Sequence, residues 1–567
     1  MTDHKANLNN PILVIGGGVG GIKTAMDLSE AQKDVLLIDK AASIGGLMTQ
    51  LDRTFPTNNC DLCTISPRLS SGARQKHIDL MPLTQLTGVE GHAGDFTVAL
   101  TSAPRFIDLE KCTACGQCHK QYPECVRFNP GLDHRAPTCM RYPQATPQAF
   151  SIDMDACTDV DGLVKCCPVG AIMTEDTEKQ LSRKVSAIVL STGADLFDPG
   201  KLDHFGYGSF PNVVTGLEYE RIMSASGPTL GELVRPSDKQ QPKRVAWIQC
   251  AGSRGINRED VSYCSSVCCM YALKEAIVTK ERFHDKIEAT IFYMDMRTFG
   301  KDYERYYQRA KDDYGIRLVR CRPHSIVPEK AGDDLLISYA TEMTSGLTTE
   351  TFDMVVLSTG FRPSEQTTRL AESLGIELNA HRFAKTESFQ PVTTNRPGVY
   401  VCGVFESPKD IPETMVQASA AACMAAKHLP VKTNGGGKSD AAAYPPERDV
   451  TGEDPRIGVF VCDCGQNIGG AIDTASVVDD AAKYPQVVHA GMVGHGCGAE
   501  ALANMQSVIK EKNLNRVVVG ACSPRTHEGL FQETVRSAGL NKYLVEIANI
   551  RDQNAWVHTG ARDLATA

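Results

Sequence analysis

Three features of the sequence predict an α/β fold: two parallel sheets of the nucleotide-binding kind with small cysteine-rich modules attached. Near the N-terminus, Gly16-x-Gly18-x-x-Gly21 stands between two apolar runs of strand length. Apolar runs that end in a small-residue turn recur at 187–193, 354–360 and 399–403. The 21 cysteines fall mostly in tight groups. Strands that alternate with helices through glycine turns are the mark of a doubly wound parallel sheet.

The first unit reads as strand, turn, helix, strand. Ile12-Leu-Val-Ile15 is a buried-strand run, the glycines open a helix through about Leu28, and residues 35–39 form a second strand ending in Asp39. Gly16, Gly18 and Gly21 let the backbone approach a pyrophosphate at the helix N-terminus, and Asp39 is placed to accept from a ribose hydroxyl. Lys40, the Gly45-Gly46 pair and the strand-end glycines Gly193 and Gly403 complete the expected cofactor contacts. An Ala-rich helix is expected over 414–428. This layout is that of a two-dinucleotide-domain, thioredoxin-reductase-like flavoprotein, with FAD on the N-terminal fingerprint.

The second unit departs from that plan. Its strand Arg244-Val-Ala-Trp-Ile-Gln-Cys250 runs into Ala-Gly-Ser-Arg254, which lacks the glycine spacing of an NAD(P) loop. Tyr263-Cys264-Ser-Ser-Val-Cys268-Cys269-Met-Tyr-Ala-Leu-Lys274 follows. Cys264, Cys268 and Cys269 are candidate ligands of a metal cluster, with Cys250 preferred as the fourth and Cys60 or Cys63 as rivals. Buried thiols packing a helix start are the plainer alternative.

Residues 105–178 carry Cys112-Thr-Ala-Cys115-Gly-Gln-Cys118 and a distant Cys167-Pro168. Three thiolates from one loop and one from a C-P pair are how a ferredoxin module holds a [4Fe–4S] cluster. Tyr122 stands where the second cluster's ligand before Pro123 would be, and the second half offers only Cys157 and Cys166. One cluster is therefore expected to be retained and one lost. Beyond a linker at 432–455, the strand ends Cys462-Asp-Cys464 and Ala-Cys522-Ser-Pro524, with Cys497 between them, supply four more thiols. Zinc competes with iron–sulfur at each site. Trp556 and His558 are expected to pack.

The expected division is 1–104, 179–240 and 351–431 for the FAD domain and 105–178 for the inserted ferredoxin-like module. A degenerate NAD-type domain spans 241–350, and a small α/β iron–sulfur module spans 456–567. At 567 residues the chain accommodates several cores, and 42% hydrophobic with 22% charged residues is ordinary for a globular protein. A net charge of −9 without a dense basic stretch argues against nucleic acid. The N-terminus lacks a signal-peptide pattern, no apolar stretch has membrane-span length, and grouped thiols suit a reducing compartment. A cytoplasmic location is expected.

With these motifs in place, the chain resembles the A-type flavoproteins of heterodisulfide reductase (HdrA-like) and their bacterial relatives, including flavoproteins of the quinone-interacting membrane-bound oxidoreductase. The resemblance is carried by Ile44-Gly-Gly-Leu-Met-Thr-Gln-Leu-Asp-Arg-Thr-Phe-Pro56, Cys60-Asp-Leu-Cys63 and Pro242-Lys-Arg-Val-Ala-Trp-Ile-Gln-Cys-Ala-Gly-Ser-Arg254. It continues through the Tyr263–Lys274 string, Phe292-Tyr-Met-Asp-Met-Arg-Thr-Phe-Gly300 and Pro408-Lys-Asp-Ile-Pro412. It implies FAD, a cluster at Cys264, Cys268 and Cys269, and Lys274 near the flavin ring as the catalytic residue. Residues 456–558 resemble a module that precedes the flavin domain in that family, so the chain is expected to be the first part of a tandem polypeptide, with a genuine rearrangement that keeps the module packed on the flavin domain as the alternative.

The expected activity is electron transfer, with bifurcation as its elaborated form, through FAD and about three [4Fe–4S] clusters. Expected partners are proteins resembling the B and C components of heterodisulfide reductase, a hydrogenase or a ring reductase, with ferredoxin as a further one. The chain is also expected to form homo-oligomers within the complex. The rivals are a stand-alone NAD(P)H-dependent disulfide reductase using Cys60 and Cys63, and a non-catalytic zinc scaffold.

Overall fold

The computed structural model describes residues 8, 10–126, 142, 145–255, 259–329, 333–341, 346–429, 444–464 and 467–557. His558, the terminal residues 562–567 and the first part of the expected linker lie outside the described residues. The first sheet is parallel throughout, in the order Val399–Val401, Ala187–Leu190, Ile12–Ile15, Val35–Ile38, Ile78–Met81. Its central strands are apolar at every position because both faces are covered. Ile12, Val14, Val35 and Leu37 face a core shared with helices Val19–Glu30 and Ile411–Ala426. Leu13, Ile15, Leu36 and Ile38 face a three-stranded antiparallel sheet through Phe96, Val98 and Leu100. Each such side chain contributes about 1.5–3 kcal/mol of burial.

The second sheet repeats the plan in the order Val213–Thr215, Met354–Thr359, Arg244–Ala251, Glu288–Tyr293, Arg317–Arg320. Helix Cys268–Phe283 covers one face around Trp247, Val245 and Val356. A second antiparallel trio, Ile326–Pro328, Leu335–Tyr339 and Thr348–Phe352, covers the other. The boundaries expected at 240 and 350 therefore move outward. Val213 pairs with Val355 and Val245 with Met354, so both flanking strands belong to the second sheet, where their apolar side chains are buried.

Residues 103–178 interrupt an antiparallel pair: Asp95–Ser102 and Lys179–Val185 are neighbours in register, with Ser102 opposite Lys179. Within the interruption lie the short helices Gln117–Gln121 and Val160–Cys166. The C-terminal module is a four-stranded parallel sheet in the order Val487–Met492, Ile457–Val461, Arg516–Ala521, Val545–Asn549. Two of those strands, the first and last, carry mixed exposure and gave no apolar run to read. The module's helix Pro524–Ser537 packs against helix Asp61–Arg74 of the first unit.

Two further expectations are corrected. The Ala-rich helix begins at Ile411, not 414, because Asp410 and Glu413 form a reciprocal cap ahead of it. The described second half of the expected linker is packed rather than free. Tyr444 hydrogen-bonds Glu533, Arg448 donates to the Leu514 carbonyl at 3.2 Å, and Val450 lies on the module's core.

Candidate functional site: a glycine cradle and three thiol groups

The glycine turn is built for close approach. Gly16 has φ +102, and a Cβ there would collide with the Ser191 carbonyl oxygen. Gly18 caps the following helix without any side-chain acceptor, which leaves the first-turn amides to a ligand. Gly45 N donates to the Gly17 carbonyl at 2.8 Å, bringing Gly45-Gly46 back over the turn, and a Cβ on Gly46 would meet Gly18 Cα at 3.0 Å. Gly18 and Gly46 thus approach this closely because neither residue has a side chain, and beside Gly16 the Thr192 hydroxyl oxygen is buried without a hydrogen-bond partner. These residues fit a dinucleotide.

Asp39 accepts from Gly17 N at 2.7 Å and from Ala41 N at 2.7 Å, so it braces the turn. Lys40 is directed elsewhere: its ammonium donates to Gln366 at 2.8 Å on the surface. Gly193 and Gly403 both have positive φ at strand ends, and Gly403 N donates to the Gln417 side chain at 2.8 Å. The inserted segment grips the same neighbourhood. Ile44 N donates to the Thr146 carbonyl at 2.9 Å, Tyr142 donates to the Ile44 carbonyl at 2.6 Å, and Arg105 reaches the Ala42 and Phe150 carbonyls.

In that segment Cys112, Cys115, Cys118 and Cys167 line one pocket with Ile107, Phe150 and Pro168. Cys112 accepts from Ala114 N at 3.4 Å, and Cys167 accepts from Ala171 N at 3.3 Å. Burial pushes the Cys118 thiol up to about 12, with Cys166, Cys112 and Cys115 adding to it. Tyr122, at the expected vacant ligand position, donates to Asp159 at 3.2 Å.

At the end of strand Arg244–Ala251 the second unit turns on Cys250 (φ +61) and Gly252 (φ +73). The Phe197 ring packs where a Gly252 side chain would be, so the turn is filled by protein. Cys250, Cys264, Cys268 and Cys269 act electrostatically as one group. Burial pushes Cys268 well above the usual thiol range, and Cys269, Cys250 and Cys264 push the same way. Such a group stays neutral unless a cation offsets it, which is what a metal cluster supplies. Cys268 and Cys269 open helix Cys268–Phe283, and Lys274 lies in its second turn.

Lys274 is buried and paired with Glu220, both side chains 3% exposed. Burial lowers its pKa, while Glu275, Asp61 and Asp52 oppose that shift. Glu220 also accepts from Asp52 N at 2.9 Å, and Trp247 donates to Glu275 at 2.8 Å. Burial holds the Asp61 carboxyl well above its usual range, with Lys274 and Thr54 pulling the other way. The sequence singled out only Lys274 here. Asp52, Asp61, Glu220 and Glu275 come from separate segments, Glu220 from the short helix Gly216–Met223, and carry no spacing signal.

The C-terminal thiols form a third group. Cys462 accepts from Gly496 N at 3.3 Å and donates to the Gly494 carbonyl at 3.1 Å. Cys464 brings Cys462 down to about 7, whereas burial pushes Cys497 and Cys522 up to about 12. Cys63 belongs to this neighbourhood and not to the Cys264 group: it accepts from Arg551 at 2.7 Å and interacts with Cys464. Arg551 stacks on Trp556 at 4.6 Å, the packing role expected of that tryptophan. Among the described residues no three His, Cys, Asp or Glu side chains converge as ligands of one mononuclear ion would. A cubane spreads its four thiolates over four irons and needs no such convergence.

Comparisons with known proteins follow the two sheets. Residues 14–78 match the NAD(P)-binding Rossmann-like domain, and residues 274–422 match the pyridine nucleotide-disulphide oxidoreductase family. These matches bear out the expected two-dinucleotide-domain fold. Thioredoxin reductase of Lactococcus lactis is 15% identical with a TM-score of 0.41, covering 74% of this chain and 99% of that one. The second iron-sulfur HdrA protein of the CoB–CoM heterodisulfide reductase of Methanopyrus kandleri is 39% identical over 429 residues, which is 75% of this chain and 65% of that protein. The HdrA-like heterodisulfide reductase protein of Archaeoglobus profundus is 34% identical over 475 residues, 75% of this chain and 67% of that protein. The chain thus spans somewhat less than two thirds of the length of the Methanopyrus relative. On the extent and level of these identities, the chain belongs to the HdrA family of heterodisulfide reductase iron–sulfur flavoproteins.

Proposed function

We propose that this chain is an oxidoreductase component that binds FAD and [4Fe–4S] clusters and moves electrons within a larger redox complex. The observation that carries the reading is the contrast at equivalent strand ends: a glycine cradle in the first sheet, four mutually interacting thiols in the second. FAD would lie in the cradle, with Gly16, Gly18, Gly21, Gly45 and Gly46 admitting its pyrophosphate and Asp39 holding the turn. When bound, it supplies the exchange between two-electron and one-electron chemistry. The chain's own residues supply thiols in three groups: Cys112, Cys115, Cys118 and Cys167; Cys250, Cys264, Cys268 and Cys269; and Cys462, Cys464, Cys497 and Cys522. Cys250 is the fourth ligand of the second set, because Cys63 faces Arg551 and the third set instead and Cys60 is paired with Cys63. The buried Lys274–Glu220 pair fixes an ammonium behind that second set, positioned to tune charge in the flavin unit.

The relatives are named for heterodisulfide reductase and, in Methanothermobacter, also for ferredoxin reductase. Partners of that kind, other redox proteins and a ferredoxin, are the ones this reading calls for. Among the described residues no helix is long and apolar enough to cross a membrane, so membrane attachment would run through a partner. The test is anaerobic purification with flavin, iron and acid-labile sulfide measured together. Flavin with iron and sulfide for about three cubanes supports the proposal. Zinc without iron, or flavin bleaching by NADH alone, defeats it.

A further inference from the structure

Helix Asp61–Arg74 begins on a thiol pair that no cluster needs. Cys60 is its N-cap and accepts from Cys63 N at 3.4 Å. The Cys60 thiol also donates to Cys63 Sγ at 2.8 Å, well inside ordinary sulfur–sulfur contact. The Cys63 sulfur in turn accepts from the Arg551 guanidinium of the C-terminal module at 2.7 Å. Arg551 is held by Asp552 at 2.7 Å and by the Trp556 ring, on the five-residue π-helical turn Arg551–Ala555. Such single π-turns recur at functional sites. The pair thus lies at the seam of two modules, with the four-thiol Cys462 group on one side and the buried Asp61–Lys274 charges on the other.

We propose that Cys60 and Cys63 are a redox-active dithiol that stores two electrons at this seam and exchanges them one at a time with the iron–sulfur cluster of the Cys462 group. The inference rests on the electron-transfer reading above. Oxidation breaks two S–H bonds and forms one S–S bond. Two electrons leave in single steps to the oxidised cluster, which a one-electron acceptor of the ferredoxin class reoxidises, and two protons leave to solvent and neighbouring carboxylates. Arg551 stabilises the thiolate from which each step starts, as guanidinium groups beside reactive thiols do. The Cys462 group already supplies four thiols, so Cys60 and Cys63 are free for this chemistry.

Both cysteines fall on one tryptic peptide, residues 54–68. The holo-chain is poised anaerobically with thionine or with dithionite, quenched in denaturant with iodoacetamide, digested and weighed. The oxidised sample should give this peptide two hydrogens lighter and unalkylated, and the reduced sample should give it with two alkyl groups. Cys60→Ser and Cys63→Ser should abolish the lighter form while iron and flavin per chain stay unchanged. Arg551→Gln should leave iron unchanged and move the dithiol midpoint to a more negative potential. Two alkyl groups in both samples overturn the proposal, as does loss of one cluster's iron in Cys63→Ser, which would make that thiol a ligand. Iron and flavin measured in the same samples separate this failure from failure of the electron-transfer reading, which would show as their absence.

Discussion

The two parallel sheets are near copies in plan and opposites in use. Both are five-stranded, and both carry a helix layer on one side and an antiparallel trio on the other. They part at the turn after a central strand. In the first, glycines remove every side chain from the turn, and Asp39 fastens it from the next strand. In the second, Phe197 fills the turn and cysteines gather around it. A scaffold of this kind sets where a ligand sits, and the strand-end loop sets which ligand it is.

The sharpest way to break this contrast is to disturb the charge buried behind the second turn. Lys274→Met leaves Glu220 buried and unpaired, and should cost about 3–5 kcal/mol in denaturant unfolding. The variant should keep its flavin fingerprint intact. If stability is unchanged, the pair is not the anchor of the second unit. Next in size, Gly46→Val places a branched side chain at φ +60 against Gly18 Cα. Flavin content should fall at least tenfold, with a backbone cost of about 1–2 kcal/mol, while iron bound at the second turn persists. Cys250→Ala should do the reverse, removing one cluster's iron and leaving flavin near wild type, whereas Cys60→Ala should leave iron whole.

A pH profile sharpens the same comparison. Burial raises the Glu275 carboxyl to about 8 from its ordinary 4.5. Between those values the folded chain holds a proton that the unfolded chain has lost, so stability falls as pH rises through that window. Glu275→Gln keeps the acceptor for Trp247 and should flatten the fall in Tm between pH 5 and 8 relative to wild type. The smallest effect is expected from Lys40→Ala. With its ammonium on Gln366, it should change stability by less than about 0.5 kcal/mol and leave flavin binding unaltered.

Much of this was legible in the sequence where a residue type has one physical use. Gly16, Gly18 and Gly21 sit in the predicted strand–turn–helix, and Cys112, Cys115, Cys118 and Cys167 line one pocket. What escaped was set by long-range packing. Val213–Thr215 and Met354–Thr359 read as generic buried strands, and only their pairing with Arg244–Ala251 assigns them to the second sheet. Lys40 directly follows Asp39 in sequence, yet a strand end turns successive side chains to opposite sides. Cys63 and Arg551 lie 488 residues apart, and no local pattern could have joined them.

The interrupted antiparallel pair carries one more implication. Ser102 and Lys179 face each other across a ladder, so the 76 intervening residues leave and return through a doorway one strand spacing wide. Among the described residues that body is held by two adjacent stalks and clasped besides by Arg105, on the Ala42 carbonyl, and by Tyr142, on the Ile44 carbonyl. Under the proposed function, an electron passing between a cluster in that body and a flavin in the cradle would cross a gap set by these stalks and clasps.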